Sequence, residues 1–103
     1  MFETEQFYSN GVWQVKSGQE ENFKSLWKEF AESALKNQGV LEAGLLQEVD
    51  SPKNFVSFGL WENTEYTQKW QNSSEFKSYM AKFKDLCDSM QLKILKSIVK
   101  IKK

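Results

Sequence analysis

A single stretch, Phe55-Val56-Ser57-Phe58-Gly59-Leu60-Trp61, carries large apolar residues at both even and odd positions. Read as a strand, it points Phe55 and Trp61 to one side and Val56, Phe58 and Leu60 to the other. A sheet with one wet face shows polar residues at every second position. This strand therefore predicts a sheet covered on both faces. The chain has helix enough for one layer only, so the second cover has to come from outside it. A second copy of the chain is the simplest cover, which makes a homodimer through the sheet face the first expectation.

The rest of the chain supplies the other elements. Phe7 to Lys16 reads as a strand, with Phe7, Trp13 and Val15 on one side and Tyr8 and Val12 on the other. Ser17 and Glu20 have the spacing of a capping box and predict a helix start. Phe23, Leu26, Trp27, Phe30, Ala31, Ala34 and Leu35 then follow the spacing of one buried helical stripe. Gly39 is the expected left-handed stop. Val40 to Val49 predicts a second strand, and Asp50-Ser51-Pro52-Lys53-Asn54 a turn with Pro52 in its first central position. The two-faced strand runs over 55–62. A helical stretch opens at Asn63-Thr64-Glu65 and carries Tyr66 and Trp70. It breaks and recaps at Asn72-Ser73-Ser74-Glu75, and continues with Phe76, Tyr79, Met80, Phe83, Leu86, Cys87 and Met90. Leu92 to Ile101 is the expected last strand.

This βαββαβ order, with a faint echo between Gly11-Val12-Trp13-Gln14 and Gly59-Leu60-Trp61-Glu62, predicts an α+β ferredoxin-like fold. The sheet is antiparallel and four-stranded, in order 4-1-3-2, with its helices on one face. Strands one and three are central, as a strand apolar on both sides requires. Residues 1–103 form one domain on this reading, without linker or low-complexity run.

Composition narrows the partners. The chain has 14 Lys, 14 acids, no Arg and no His, so bidentate recognition of phosphate or guanine is not available. Nucleic acid is excluded on that ground, and membrane spanning by the lack of an apolar run near ~20 residues. Basic residues gather late, in Lys93, Lys96, Lys100, Lys102 and Lys103, as expected of an edge strand guarded against aggregation. One cysteine forms no internal disulfide, and the acidic start Met1-Phe2-Glu3-Thr4-Glu5 lacks the order of a signal peptide. A cytoplasmic location is expected. The 15 aromatic residues exceed the needs of so small a core, so some are expected at a pocket or interface.

The segments Gly11-Val12-Trp13-Gln14-Val15-Lys16-Ser17-Gly18, Asp50 to Glu62, Trp70, and Ser73 to Phe76, with Glu20, Phe23 and Trp27, resemble the antibiotic biosynthesis monooxygenase family of the dimeric α+β barrel superfamily. The resemblance extends over nearly the whole chain, and Phe-Val-Ser-Phe-Gly-x-Trp-Glu is its most specific part. It implies a fold that pairs as a dimeric barrel and one of two chemistries. Some members are similar to cofactor-independent oxygenases acting on phenols or anthrones, in which the substrate's own carbanion reduces oxygen. Others degrade haem and need a His ten positions after the helical Trp. Here that position is Met80, which removes His as an iron ligand. Neither cofactor nor metal is expected.

On this resemblance Trp70 is the first catalytic candidate, its indole N–H holding a substrate oxygen. The quinone-forming members are expected to carry a Tyr six positions after that Trp. Here it is Phe76, with Tyr79, one turn on, as its substitute. Asn10, Trp13, Trp27, Trp61, Phe76 and Met80 are the candidates for binding a small aromatic or quinone-like molecule. Glu42, Glu48, Glu62, Tyr79 or a buried Lys are open as general base, and an already ionised phenol needs none. The rival reading is a binding or structural dimer without chemistry. A cavity of about 300 Å³ or more, lined by Trp70 and another Trp, would favour a ligand.

Overall fold

The computed structural model describes residues 6–103; the acidic start Met1–Glu5 lies outside the described residues. Strand β1 (Phe7–Val15) leads to helix α1 (Glu20–Leu35), then strands β2 (Val40–Gln47) and β3 (Asn54–Trp61), helices α2 (Thr64–Gln71) and α3 (Ser74–Leu86), and strand β4 (Cys87–Lys96). The four strands form one antiparallel sheet in the order β2-β3-β1-β4. This is the order 4-1-3-2 expected from sequence, with β1 and β3 central.

Local chemistry explains most boundaries. The β2–β3 hairpin turns on Pro52, where Asn54 N donates to Ser51 O at 2.9 Å. Asn63 caps α2 by accepting from Tyr66 N at 3.1 Å, and Ser73 caps α3 by accepting from Phe76 N, also at 3.1 Å. Gly39 takes a φ of +98°, the left-handed conformation expected there, just before β2 begins.

Two expectations are corrected. Ser17 does not cap α1. Gly18, at φ +86°, turns the chain first, so the cap position falls on Gln19, which makes no side-chain cap bond. Glu20 still reaches back, accepting from Gly18 N at 2.7 Å. The last strand is also displaced: it begins at Cys87 and ends at Lys96, while Ile98, Val99 and Ile101 are exposed beyond it. The reason lies in a bulge. Cys87 pairs with Val15 and Ser89 with Gln14, which leaves Asp88 unpaired. Cys87 and Met90 therefore face inward three positions apart, a spacing that imitates a helix.

The helices cover one face of the sheet. Under them lie Trp13 and Val15 of β1 and Phe55 and Trp61 of β3, all buried. Trp13, Phe23, Phe83 and Phe55 form the centre of the larger core, with ring centroids 4.7–5.6 Å apart. A smaller core gathers Ala34, Trp61 and Trp70. The opposite face has no cover within the described residues. Leu46, Val56 and Val12 pair in a row across three strands, 59%, 41% and 43% exposed, and Leu60, Tyr8 and Leu95 form a second row.

Candidate functional site

The middle of the central strand pair is built from the smallest residues in it. On the helix-facing side Ser9 lies opposite Gly59, and Gly11 opposite Ser57. These four leave a gap in the side-chain layer between the two cores. Over the gap pass Phe30, Ala31 and Ala34 of α1 and Trp70 of α2, with Phe76 at the start of α3. The result is a partly open cavity of about 60 Å³, with Trp13, Trp27, Trp61 and Trp70 in its lining. It holds roughly four to six waters. This is well short of the ~300–1,000 Å³ of a pocket that encloses a drug-sized ligand. The expected lining is present and the expected volume is not.

Each end wall is fixed by a bond from one central strand to the other. Trp13 Nε1 of β1 donates to Ser57 Oγ of β3 at 2.9 Å. Trp61 Nε1 of β3 donates to Ser9 Oγ of β1 at 3.0 Å. The indoles lie over the glycines: a Cβ built on Gly11 would stand 2.5 Å from Trp13 Nε1, and one on Gly59 3.2 Å from Trp61 Nε1. Ser9-x-Gly11-x-Trp13 and Ser57-x-Gly59-x-Trp61 are thus one motif used twice, each Trp held by the other's Ser. The Gly-x-Trp echo was visible in the sequence. The serines were missed as site residues, and extending that echo two positions upstream finds both.

Trp27 differs from these two. It belongs to the cavity lining, yet its Nε1 is buried with no hydrogen-bond partner among the described residues. Such a group costs about 1–3 kcal/mol. Trp70 packs against Phe30 and Phe76, at centroid distances of 5.8 and 5.9 Å. Asn10 donates through Nδ2 to Ser57 O at 3.2 Å and also reaches the lining, as does Lys93 on β4.

The structure thus brings together Asn10, Trp13, Trp27, Trp61, Trp70 and Phe76 around one cavity. It does not bring Tyr79 or Met80 there; both pack against the larger core. One helical turn advances about 5 Å along the axis, which carries α3 from the cavity at Phe76 to that core at Tyr79. The Tyr79 hydroxyl keeps company with Glu29 and Ser33, and burial, with the Glu29 charge, raises its pKa above the ordinary phenol value. Glu42, Glu48 and Glu62 are also absent from the lining. Cys87 sits in the larger core, where burial, then the Asp88 charge, pushes its thiol up to about 11. Among the described residues no group of three or more Cys, Asp or Glu is placed to hold a metal ion.

The sequence model of the antibiotic biosynthesis monooxygenases matches residues 7–82, from the first strand through most of α3. The chain belongs to that family. Solved structures of the same fold include SnoaB, a cofactor-independent oxygenase from Streptomyces nogalater, with a TM-score of 0.84 at 16% identity over 96% of this chain and 98% of that one. An antibiotic biosynthesis monooxygenase assigned as putative, from Nitrosomonas europaea, aligns with a TM-score of 0.83 at 16% identity over 95% of each chain. A conserved protein from Methanosarcina mazei Go1 reaches 22% identity and a TM-score of 0.80, over 87% of this chain and 90% of its own. No curated protein matches. At these identities the structural likeness establishes the fold of this family member, and the site must be argued from its own residues. No helix among the described residues is long and apolar enough to cross a membrane.

Proposed function

We propose that this family member binds a small oxygen-bearing aromatic molecule between sheet and helices and oxidises it with molecular oxygen, without a cofactor. The observation that carries the proposal is the gap made by Ser9, Gly11, Ser57 and Gly59 and walled by four indoles. A core built for stability alone closes such a gap with larger side chains. The family and the fold shared with an oxygenase support the same reading.

In the reaction, an anthrone-type methylene loses a proton, and the resulting carbanion gives electrons to oxygen. One oxygen atom becomes the new carbonyl, and the other leaves as water with the two hydrogens. The protein's part is to hold the planar substrate, keep water away and stabilise its oxygen as negative charge develops. Among the described residues no carboxylate lines the cavity and Lys93 is the one charged group at its wall, so the reading favours a substrate that arrives already ionised. Trp70 is proposed as the indole that closes the site from the helix side. A second copy of the chain is proposed to cover the apolar rows around Val12 and Val56, completing a dimeric barrel.

The test is oxygen uptake with a panel of hydroquinones and anthrones, repeated with Trp70→Phe. Uptake above buffer that falls in the variant supports the reading; uptake equal to buffer for every substrate overturns the catalytic part. The small volume and the absence of a base favour one second reading, a dimer that binds or merely assembles, and that same null result would select it.

A further inference from the structure

Resting on the proposed binding cavity, we infer that Leu92 and Ile94 of β4 are its second part, an apolar shelf outside the mouth, and that the ligand is an aromatic molecule with an apolar extension that lies along this shelf. The cavity opens at this strand. Among its lining residues Leu92 and Lys93 of β4 are exposed, whereas Val40 and Ala43 of the other edge strand are half-buried and most of those on α1 and α2 are buried. A cavity of about 60 Å³ takes only part of a drug-sized molecule, whose pockets measure ~300–1,000 Å³. The rest of such a ligand leaves through the opening and meets β4.

Register puts the shelf on the cavity's side of the sheet. Leu92 lies opposite Gly11 and Ile94 opposite Ser9, and residues directly opposite in an antiparallel pair share a face, with Cβ atoms about 4.5–5.5 Å apart. Met90, the preceding residue on that side, lies opposite Trp13 and packs against the larger core. Leu92 and Ile94 are on the same face, yet 40% and 39% exposed, so the helix layer stops short of them. Their side chains stand about 7 Å apart along the strand, and Lys96, on the same side, ends the apolar strip. No other part of the assembly is directed here. The second copy proposed above takes the opposite face, with Val12 and Val56. The tail after Lys96 runs outward: Ser97 N donates to Gln6 O at 2.8 Å, extending the pairing with β1 by one residue. Ser97-Ile98-Val99 has no Gly, Pro, Asn or Asp to turn the chain back, and Ile98, Val99 and Ile101 stay exposed.

The probes are 4-methylphenol and 4-pentylphenol, one aromatic head with a short and a long extension, titrated into protein carrying ¹⁵N-labelled indoles. The indole N–H resonances report entry of the head. A methylene buried on all sides gains about fourfold in affinity, and one covered on a single side about twofold. The longer probe is therefore expected to bind roughly 10–20-fold more tightly. Ile94→Ser is expected to bring that ratio below about fivefold, and Leu92→Ser to do the same. Val56→Ser, on the opposite face, is expected to leave it in place. The same two probes are used throughout, so their difference in hydration cancels between variants. If the indoles respond to both probes but the ratio is near one, is unmoved in both β4 variants or falls in Val56→Ser instead, the shelf is wrong while the cavity stands. If neither probe moves an indole resonance, the cavity reading falls and this inference with it.

Discussion

Replacing Gly11 with alanine is the sharpest test of the indole–serine arrangement, because the reasoning fixes the sign of the effect. In an ordinary strand interior Gly→Ala stabilises by roughly 0.5–1 kcal/mol, since glycine loses more backbone freedom on folding. Here the new methyl would stand 2.5 Å from Trp13 Nε1, 2.6 Å from Ser57 Oγ and 2.8 Å from Trp13 Cε2. Trp13 has nowhere to retreat: it is 1% exposed and packed against Phe23 and Phe83. Overpacking of this kind costs about 1–3 kcal/mol. Losing the bond to Ser57 strands a buried N–H for about 1–3 kcal/mol more.

The net expectation is a loss of about 3 kcal/mol, or roughly 12–24 °C in Tm for a domain of this size. Urea unfolding at one fixed protomer concentration, followed by circular dichroism, measures it. The fixed concentration matters because the proposed dimer would contribute to apparent stability. Ser57→Ala removes the atom 2.6 Å from the new methyl, so the double variant is expected to lose less than the sum of the two single ones. An unchanged or raised Tm for Gly11→Ala would refute the placement of Trp13 over Gly11.

Ser57→Ala alone leaves the Trp13 N–H unpaired and is expected to cost about 1–3 kcal/mol; Ser9→Ala, at a less buried position, costs less, and urea midpoints rank the two. Val56→Lys places a charge in the uncovered apolar row and is expected to turn a dimer into a monomer at low micromolar concentration, read by sedimentation velocity. Cys87, whose folded pKa of about 11 exceeds the free thiol's value of 9.0, keeps its proton in the fold while the unfolded chain ionises. Its contribution is complete below pH 9 and disappears as pH rises through about 11, so urea midpoints fall across that window and Cys87→Ala flattens the fall. For the same reason a disulfide reagent at pH 8 is expected to label the native thiol far more slowly than the unfolded one.

The fold was legible because its signals are local and redundant. Phe55 to Trp61 announces a central strand by its two apolar faces, and Pro52, Asn63 and Ser73 mark a turn and two caps by chemistry that acts within a few residues. The strand order followed from the βαββαβ element order, and the two-faced strand agreed with its central place in it. What failed did so where two periods coincide or where the chain interposes an extra residue. The bulge at Asp88 gave a strand the spacing of a helix, and the turn at Gly18 moved a cap that looked complete at Ser17. The site was half legible. Aromatic residues chosen by resemblance reached the cavity where strand alternation fixed their side, as with Trp13 and Trp61. Tyr79 was placed by helical phase alone, and phase says which face a residue takes, not how far along the axis the cavity extends.

The hydrogen bonds that fix the cavity walls cannot be read from either strand alone, and this decides what kind of site it is. Trp13 is held by a serine 44 residues away and Trp61 by one 52 residues away. Both bonds exist only when Ser9 faces Gly59 and Gly11 faces Ser57, that is, in one register of β1 against β3. A slip of β1 by one residue against β3 turns the β1 side chains to the opposite face. It would bring Val12 under the helices and put Trp13 and Ser9 outside, so neither indole would meet its serine. The same two bonds therefore report the register and shape the cavity. The need for a well-registered central pair and the need for walls held still around a small ligand fall on the same two serines and two tryptophans. That is why a gap in the core is tolerated here: the residues that open it also specify how the sheet is assembled.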